Sequence, residues 1–301
     1  MADVIATALV VVVTSLLHAI FQAAGDVIRH RDLARLKQAA RGRKIQPLKS
    51  KPFRFGILLV LVGFIFQVVA LHFGRVVTVQ TIAVSALVFL LLFQSLLSDQ
   101  KLHRNDWWGS ALVMVGIVVF VLTVHPTDIK KDVEIDYLGW GIAFLIMLVI
   151  AVLIMMLAPS LPPGASSMVF GAGAGAAVGL GAGMISALGI IWRVNGFGSL
   201  FTTWLLYAFF LVEGLRLFLL VRGLQRGPVT SSVGAFVLVS PVVSWLIGAW
   251  LLSEPINTGP AFYLGVPLSF ILLVVGVVIL VRTRTIEEVY SLKGMSFQAS
   301  W

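Results

Sequence analysis

Hydrophobic residues follow one another in nine long runs along the chain, and polar residues are mostly confined to the stretches between them. The runs cover residues 4–21, 55–71, 76–97, 107–124, 138–157, 168–192, 200–221, 229–252 and 260–281. A helix of about 17–25 residues, rising about 1.5 Å per residue, crosses a hydrocarbon core about 30 Å thick. The pattern therefore predicts an all-α fold, a polytopic membrane bundle of nine transmembrane helices.

The composition supports a membrane protein and removes several classes of chemistry. Of 301 residues, 59% are hydrophobic and 12% are charged, whereas soluble domains carry about 25% charged residues. The chain has no cysteine, which excludes disulfides and thiolate metal sites. The sequence also lacks the HExxH and G-x-S-x-G patterns of metalloproteases and hydrolases. We therefore expect no enzyme activity, no cofactor and no bound metal.

The basic residues predict the orientation of the helices. Ten lysines and arginines lie between residues 22 and 54, a segment that we expect to be a cytoplasmic loop. Nine spans then place the N-terminus outside and the C-terminus in the cytoplasm, with seventeen of the 22 basic residues inside and four outside. The net charge of +9 is thus explained by insertion in the lipid bilayer, which we expect to be the plasma membrane, and not by nucleic-acid binding.

Two parts of the chain resemble each other in sequence. Residues 84–86 match 239–241 and residues 96–99 match 251–254, both at an offset of 155 residues. Residues 116–123 match 276–283 at an offset of 160. Spans three and four therefore correspond to spans eight and nine, unless apolar helices match here through composition alone.

Corresponding spans are five apart, so the two halves cross the membrane in opposite directions. Such inverted repeats are typical of secondary transporters, which hold their substrate near the midplane between the repeats. We expect a first repeat at residues 1–158 with five spans, and a second at residues 159–301 with four spans and a cytoplasmic tail.

The hairpins that end in LLSD at 96–99 and LLSE at 251–254, each followed by a glycine-containing helix, resemble the drug/metabolite transporter superfamily with its EamA-type repeats. The first half is also similar to the NIPA-type magnesium transporters, through Gly63, Gln67 and the long run into LLSD. Phe64 stands where the NIPA-type pattern has an acid. The resemblance implies alternating-access transport, with magnesium as one substrate class.

Polar side chains inside the predicted spans mark helices that face a cavity, because such groups are costly in a bilayer. They concentrate in spans two, three, seven and eight, whereas span five has no charged, hydroxyl or amide side chain. These four helices should line the substrate pathway. The candidate residues are Gln67, Gln80, Ser85, Gln94, Tyr207, Glu213, Arg216, Ser240, Pro241, Ser244 and Trp245.

Glu213 and Arg216 are the acid and the base that lie deep in a span, three residues apart on one helical face. Either the pair neutralises itself and fixes packing, or Glu213 couples transport to protons or binds substrate. Gln80 and Gln94 are fourteen residues apart, close to four helical turns, so both can face one groove. Hydrogen bonds to neighbouring helices are the alternative use of these two side chains.

Proline and the hairpin acids have structural and functional interpretations. Pro241 should kink span eight and free a carbonyl that faces a ligand or accepts a hydrogen bond from Ser244. Asp99 and Glu254, at the hairpin tips, should cap helices or pair at the interface, with gating as the alternative.

Span six has small residues at every fourth position, in three consecutive GxxxG steps. These residues are Gly171, Gly175, Gly179 and Gly183. Small faces let helix backbones approach closely. The partner is either another span or a second protomer, in which case the chain forms a homodimer.

A divalent cation needs hard oxygen ligands, ideally carboxylates, and Glu213 is the carboxylate found at depth. We therefore expect a transporter of a small metabolite, drug-like or lipid-like solute, with proton coupling as an open question. NIPA-like transport of magnesium or another divalent cation is one alternative. A non-transporting membrane scaffold subunit is the other.

Overall fold

The computed structural model describes residues 2–40, 49–98, 104–124, 134–226, 229–254 and 259–298. The helices are α1 (Ala2–Ala40), α2 (Lys51–Phe73), α3 (Val76–Ala83), α4 (Ala86–Ser98), α5 (Arg104–Val124), α6 (Tyr137–Leu157), α7 (Pro163–Asn195), α8 (Trp204–Arg226), α9 (Val229–Leu251) and α10 (Pro260–Gln298). Within these residues there is no β-strand, and nine helical stretches are long and apolar enough to cross a membrane. The predicted all-α membrane bundle is confirmed.

The first and last helices extend beyond their predicted spans. The segment 22–54 is not the continuous loop that its charge suggests, because α1 remains helical to Ala40 and α2 begins at Lys51. Residues 22–40 contain no proline and are rich in good helix formers. Asp26 also accepts a hydrogen bond from Gln22 and pairs with Arg29 one turn on, which stabilises the helix beyond the hydrophobic stretch.

Span three is two helices, a break that the hydrophobic pattern does not predict. At the joint, the Val84 N–H donates to the Thr81 carbonyl at 3.2 Å and the Ser85 N–H to the Ile82 carbonyl at 2.9 Å. These are i→i−3 bonds, which tighten the backbone relative to the i→i−4 bonds of an α-helix. The continuous helix assumed for the register of Gln80 and Gln94 is therefore absent.

The short helix α3 lies at the centre of the bundle. It contacts α1, α2, α5, α7 and α9, and every residue from Val76 to Ile82 is buried. By contrast α6 lies at the periphery, where its exposed side chains are large and apolar. Residues 138–157 of this helix have no charged, hydroxyl or amide side chain, which agrees with the expectation that span five faces lipid.

The glycine face of α7 packs against α9 of the same chain. A Cβ added at Gly179 would lie 2.9 Å from the Ser244 nitrogen. Cβ atoms at Gly171 and Gly175 would overlap the carbonyls of Ser232 and Phe236. The partner of this face is therefore another span, and the face is not free to bind a second protomer.

Candidate functional site

The polar side chains of α3, and that of Ser85 between α3 and α4, point into the protein interior. Thr78 and Ser85 are fully buried and Gln80 is 3% exposed. The Ser240 hydroxyl of α9 donates to the Gln80 Oε1 at 3.3 Å, which joins the two halves of the chain. We refer to Thr78, Gln80, Ser85 and Ser240 as the α3 polar core.

Three atoms of the α3 polar core have no hydrogen-bond partner among the residues that the structure describes. They are the Thr78 Oγ1, the Gln80 Nε2 and the Ser85 Oγ. An unpaired buried polar group costs about 1–3 kcal/mol, so each such group needs an explanation. A ligand that carries both donors and acceptors would supply the missing partners.

The α3 polar core is closed in this conformation. Its four side chains are each at most 6% exposed, because α3 is surrounded by five other helices. A solute can therefore reach these groups only if α3 or α9 moves relative to its neighbours.

The hydrogen bond of Ser244 in α9 differs from the one predicted beside Pro241. Pro241 and Ser244 are buried beside Ser240, and α9 continues through the proline. The Ser244 hydroxyl donates to the carbonyl of Ser240 at 2.8 Å. A proline at 241 frees the carbonyl four residues earlier, that of Val237, so Ser244 does not satisfy the freed carbonyl.

Glu213 and Arg216 form an ion pair on α8, away from the α3 polar core. The Arg216 Nε lies 2.7 Å from the Glu213 Oε2, and the two side chains are 23% and 28% exposed respectively. Glu213 lies beside α7, since a Cβ at Gly181 would be 3.0 Å from its Oε1. This is the geometry of a pair in which each side chain neutralises the other.

The remaining candidates are not brought to the α3 polar core. Gln67 on α2 and Gln94 on α4 are half-buried. Tyr207 is 58% exposed, and its hydroxyl donates to the Phe201 carbonyl at 2.9 Å. Trp245 is 37% exposed. The interior polar site therefore comes from α3 and α9, without direct contributions from α2 and α8.

One member of the α3 polar core, Thr78, is absent from the predicted site residues, although it lies two residues before Gln80. Glu254 accepts a hydrogen bond from the Val76 N–H at 2.7 Å, so this hairpin acid caps a helix, as expected, but a helix in the other half of the chain. Asp99 lies outside the described residues.

Burial changes the acid–base behaviour of Glu254, which lies between the spans of α9 and α10. Removal from water raises the pKa of its carboxyl to about 7, and the Val76 N–H and the nearby Arg75 charge oppose that rise. Among the described residues, no group of three or more histidines and carboxylates is placed to hold a metal ion.

Similar proteins include one from a bacterium and one from a plant. An uncharacterized protein of Corynebacterium glutamicum is 22% identical over 280 residues, which cover 92% of this chain and 96% of that protein. The probable magnesium transporter NIPA9 of Arabidopsis thaliana is 23% identical over 249 residues, 78% of this chain and 70% of that protein. No family model and no solved structure matches the chain. Together with the fold, the similarity supports a transporter-like, multi-pass membrane protein.

Proposed function

We propose that the protein is a secondary transporter of the drug/metabolite transporter type, which moves a small, uncharged, hydrogen-bonding organic solute by alternating access. The α3 polar core carries this proposal. It combines hydroxyl groups with an amide, contains no charged side chain, and has three unpaired polar atoms among the described residues. Such groups bind neutral donors and acceptors, and a closed polar site in a membrane bundle is typical of a transport pathway.

Corresponding helix contacts support two inverted repeats at 1–158 and 159–301. The pair α1–α2 packs as α7–α8 does, and α5 packs against α10. A Cβ at Gly276 would lie 2.8 Å from the Gly109 carbonyl, and one at Gly116 would lie 3.0 Å from the Ser269 carbonyl. An offset of 160 residues relates these two contacts, since it converts Gly109 to Ser269 and Gly116 to Gly276.

Magnesium is the second candidate substrate, because the Arabidopsis relative is described as a probable magnesium transporter. Mg²⁺ prefers carboxylate and water oxygens in octahedral geometry. Of the described carboxylates, Glu213 is paired with Arg216 and Glu254 caps α3. The α3 polar core therefore favours a neutral solute over a divalent cation.

Flux into proteoliposomes tests the two candidates. The purified protein is reconstituted, and uptake is measured for Mg²⁺ with an interior fluorescent indicator and for radiolabelled glucose, myo-inositol and uridine. We expect saturable uptake of a neutral probe and none of Mg²⁺. Replacing Gln80 by Leu or Ser85 by Ala should lower that uptake roughly two- to tenfold, the equivalent of one lost hydrogen bond.

The matched control is Ser95→Ala on α4. Its hydroxyl donates to the Leu92 carbonyl of its own helix at 3.1 Å, outside the α3 polar core, so uptake should remain unchanged. Uptake of Mg²⁺ alone, unaffected by Gln80→Leu, would contradict the proposed solute class and favour the magnesium candidate.

A further inference from the structure

Glu254 connects the end of α9 to the beginning of α3. Its Oε1 accepts the hydrogen bond from the Val76 N–H at 2.7 Å, and the Val77 N–H also stabilises the ionised carboxylate. Val76 and Val77 form the first turn of α3, where the unpaired N–H groups and the helix dipole favour a negative charge. The carboxylate of one half of the chain thus fixes the N-terminus of a helix in the other half.

The backbone conformation after α9 places the Glu254 carboxylate next to the N-terminus of α3. Ser253 has a φ of 48°, a left-handed conformation that is uncommon for a residue other than glycine. The Glu254 N–H then donates to the Gly248 carbonyl at 2.9 Å. A Cβ at Gly248 would overlap the Glu254 carboxylate, so a glycine is needed where the side chain folds back along α9.

One oxygen of the Glu254 carboxylate makes no hydrogen bond to the described residues and is available to accept a proton. This oxygen, the Oε2, is buried. Buried and half-paired, the carboxyl has a pKa raised to about 7, with desolvation as the main cause. The two protonation states are therefore close in free energy near neutral pH.

Within the described residues, few charged groups lie around Glu254. Arg75, in the α2–α3 turn, is the cation whose field favours the ionised carboxylate, and α3 carries no charged side chain. Asp136, before α6, accepts from the Gly139 N–H of its own helix at 2.9 Å. His72, at the end of α2, lies against Trp192 of α7, with 6.4 Å between ring centroids.

We propose that Glu254 is the site at which this transporter binds a coupling proton: ionised, it holds the N-terminus of α3, and protonated, it releases α3. The proton adds to the Oε2, and a neutral carboxyl replaces the charged acceptor of the Val76 N–H. Hydrogen bonds to an ionised group are roughly twice as strong as neutral ones, so protonation weakens the contact that fixes α3.

This inference rests on the proposed transport function, because the released helix carries the α3 polar core. Gln80 follows Val76 by four residues, about 6 Å along a helix. Movement of the first turn of α3 therefore acts directly on the closed polar groups. Glu213, by contrast, is paired with Arg216 on α8 and lies away from the α3 polar core.

Infrared difference spectroscopy on the purified protein measures the protonation without any transport assay. Between about pH 5 and about pH 9, a protonated-carboxyl band should disappear with a midpoint near 7, and Glu254→Gln should lack that component. Arg75→Gln removes the cation that favours ionisation and should move the midpoint to higher pH. The matched control, Glu134→Gln, alters an exposed acid before α6 and should leave the midpoint unchanged.

Cysteine labelling measures the release of α3, since the chain has no native cysteine. Val77→Cys, buried in the first turn of α3, is reacted with a maleimide at about pH 8, with and without Glu254→Gln. The Gln variant mimics the protonated acid and should label at least several-fold faster. Val113→Cys, buried on α5, should label at the same rate in both backgrounds.

Each result decides one question. A titrating band that Glu254→Gln leaves in place, or equal labelling of Val77→Cys in both backgrounds, overturns the proton site whether or not the protein transports. If Glu254→Gln does not fold, the Arg75→Gln shift decides, because an unmoved midpoint also overturns the proposal. If both measurements agree with the proposal and no probe is transported, the proton site stands and the proposed transport function fails.

Discussion

Arg216 sits one helical turn after Glu213, and this spacing lets each side chain neutralise the other without help from a second helix. An isolated charge at this depth of a membrane span would be costly. Each side chain of the pair is about one-quarter exposed. Because their charges are opposite, the two groups together add little net charge to α8. Their separation from the α3 polar core favours a structural role.

Paired replacement at this site separates the structural role from a coupling role. Glu213→Gln leaves Arg216 as an unpaired cation, and removing one partner of a buried pair costs up to about 3–5 kcal/mol. The double replacement, Gln at 213 and Met at 216, leaves no lone charge, so thermal stability and flux should both recover. A double variant that melts like the wild type but transports nothing would instead assign Glu213 to coupling.

The interior position of a residue could be predicted best for polar side chains, because such groups are costly in contact with lipid. Gln80, Ser85 and Ser240 are polar groups in apolar runs, and the structure places all three inside the bundle. Tyr207 and Trp245 are amphipathic, and such side chains occur both in the interior and on the surface of membrane proteins. Composition alone could not decide between an interior and a surface position for them.

At the scale of helices, the spans could be predicted because their length and hydropathy are set by the bilayer. The break between α3 and α4 could not be predicted in this way, because the apolar run continues through Val84 and Ser85 without a glycine or proline. Tertiary contacts accompany the break, including the cap that Glu254 provides to α3. The extension of α1 to Ala40 could not be predicted from the basic residues of this segment. Their charge indicates on which side of the membrane the segment lies, but not whether it is helical.

The α7–α9 contact should be sensitive to a single methyl group. Gly175→Ala would overlap the Phe236 carbonyl, and overpacking typically costs about 1–3 kcal/mol. Gly141→Ala on α6 meets nothing within 4 Å and should be neutral or stabilising by up to about 1 kcal/mol, because alanine favours helix. Thermal unfolding in detergent should give a lower melting temperature for the first variant only; equal values would contradict the packing described.

At the scale of the whole molecule, the two halves meet through contacts that periodicity cannot reveal. The hydrogen bond from Val76 to Glu254 joins residues 178 positions apart, and the one from Ser240 to Gln80 joins residues 160 apart. The polar residues of the sequence assign both α3 and α9 to the predicted pathway, but the pattern contains no information on which atoms meet. The arrangement of the site therefore required the fold.

Orientation in the membrane is a property of the whole chain and can be tested with two single cysteines. Ser160, between α6 and α7, and Gly198, between α7 and α8, are both exposed, and one span separates them. The distribution of basic residues predicts Ser160 in the cytoplasm and Gly198 outside. In intact cells, an impermeant thiol reagent should therefore label Gly198→Cys and reach Ser160→Cys only after permeabilisation. The reverse pattern would invert every loop and place Glu254 on the cytoplasmic side, so its proton would come from the cell interior.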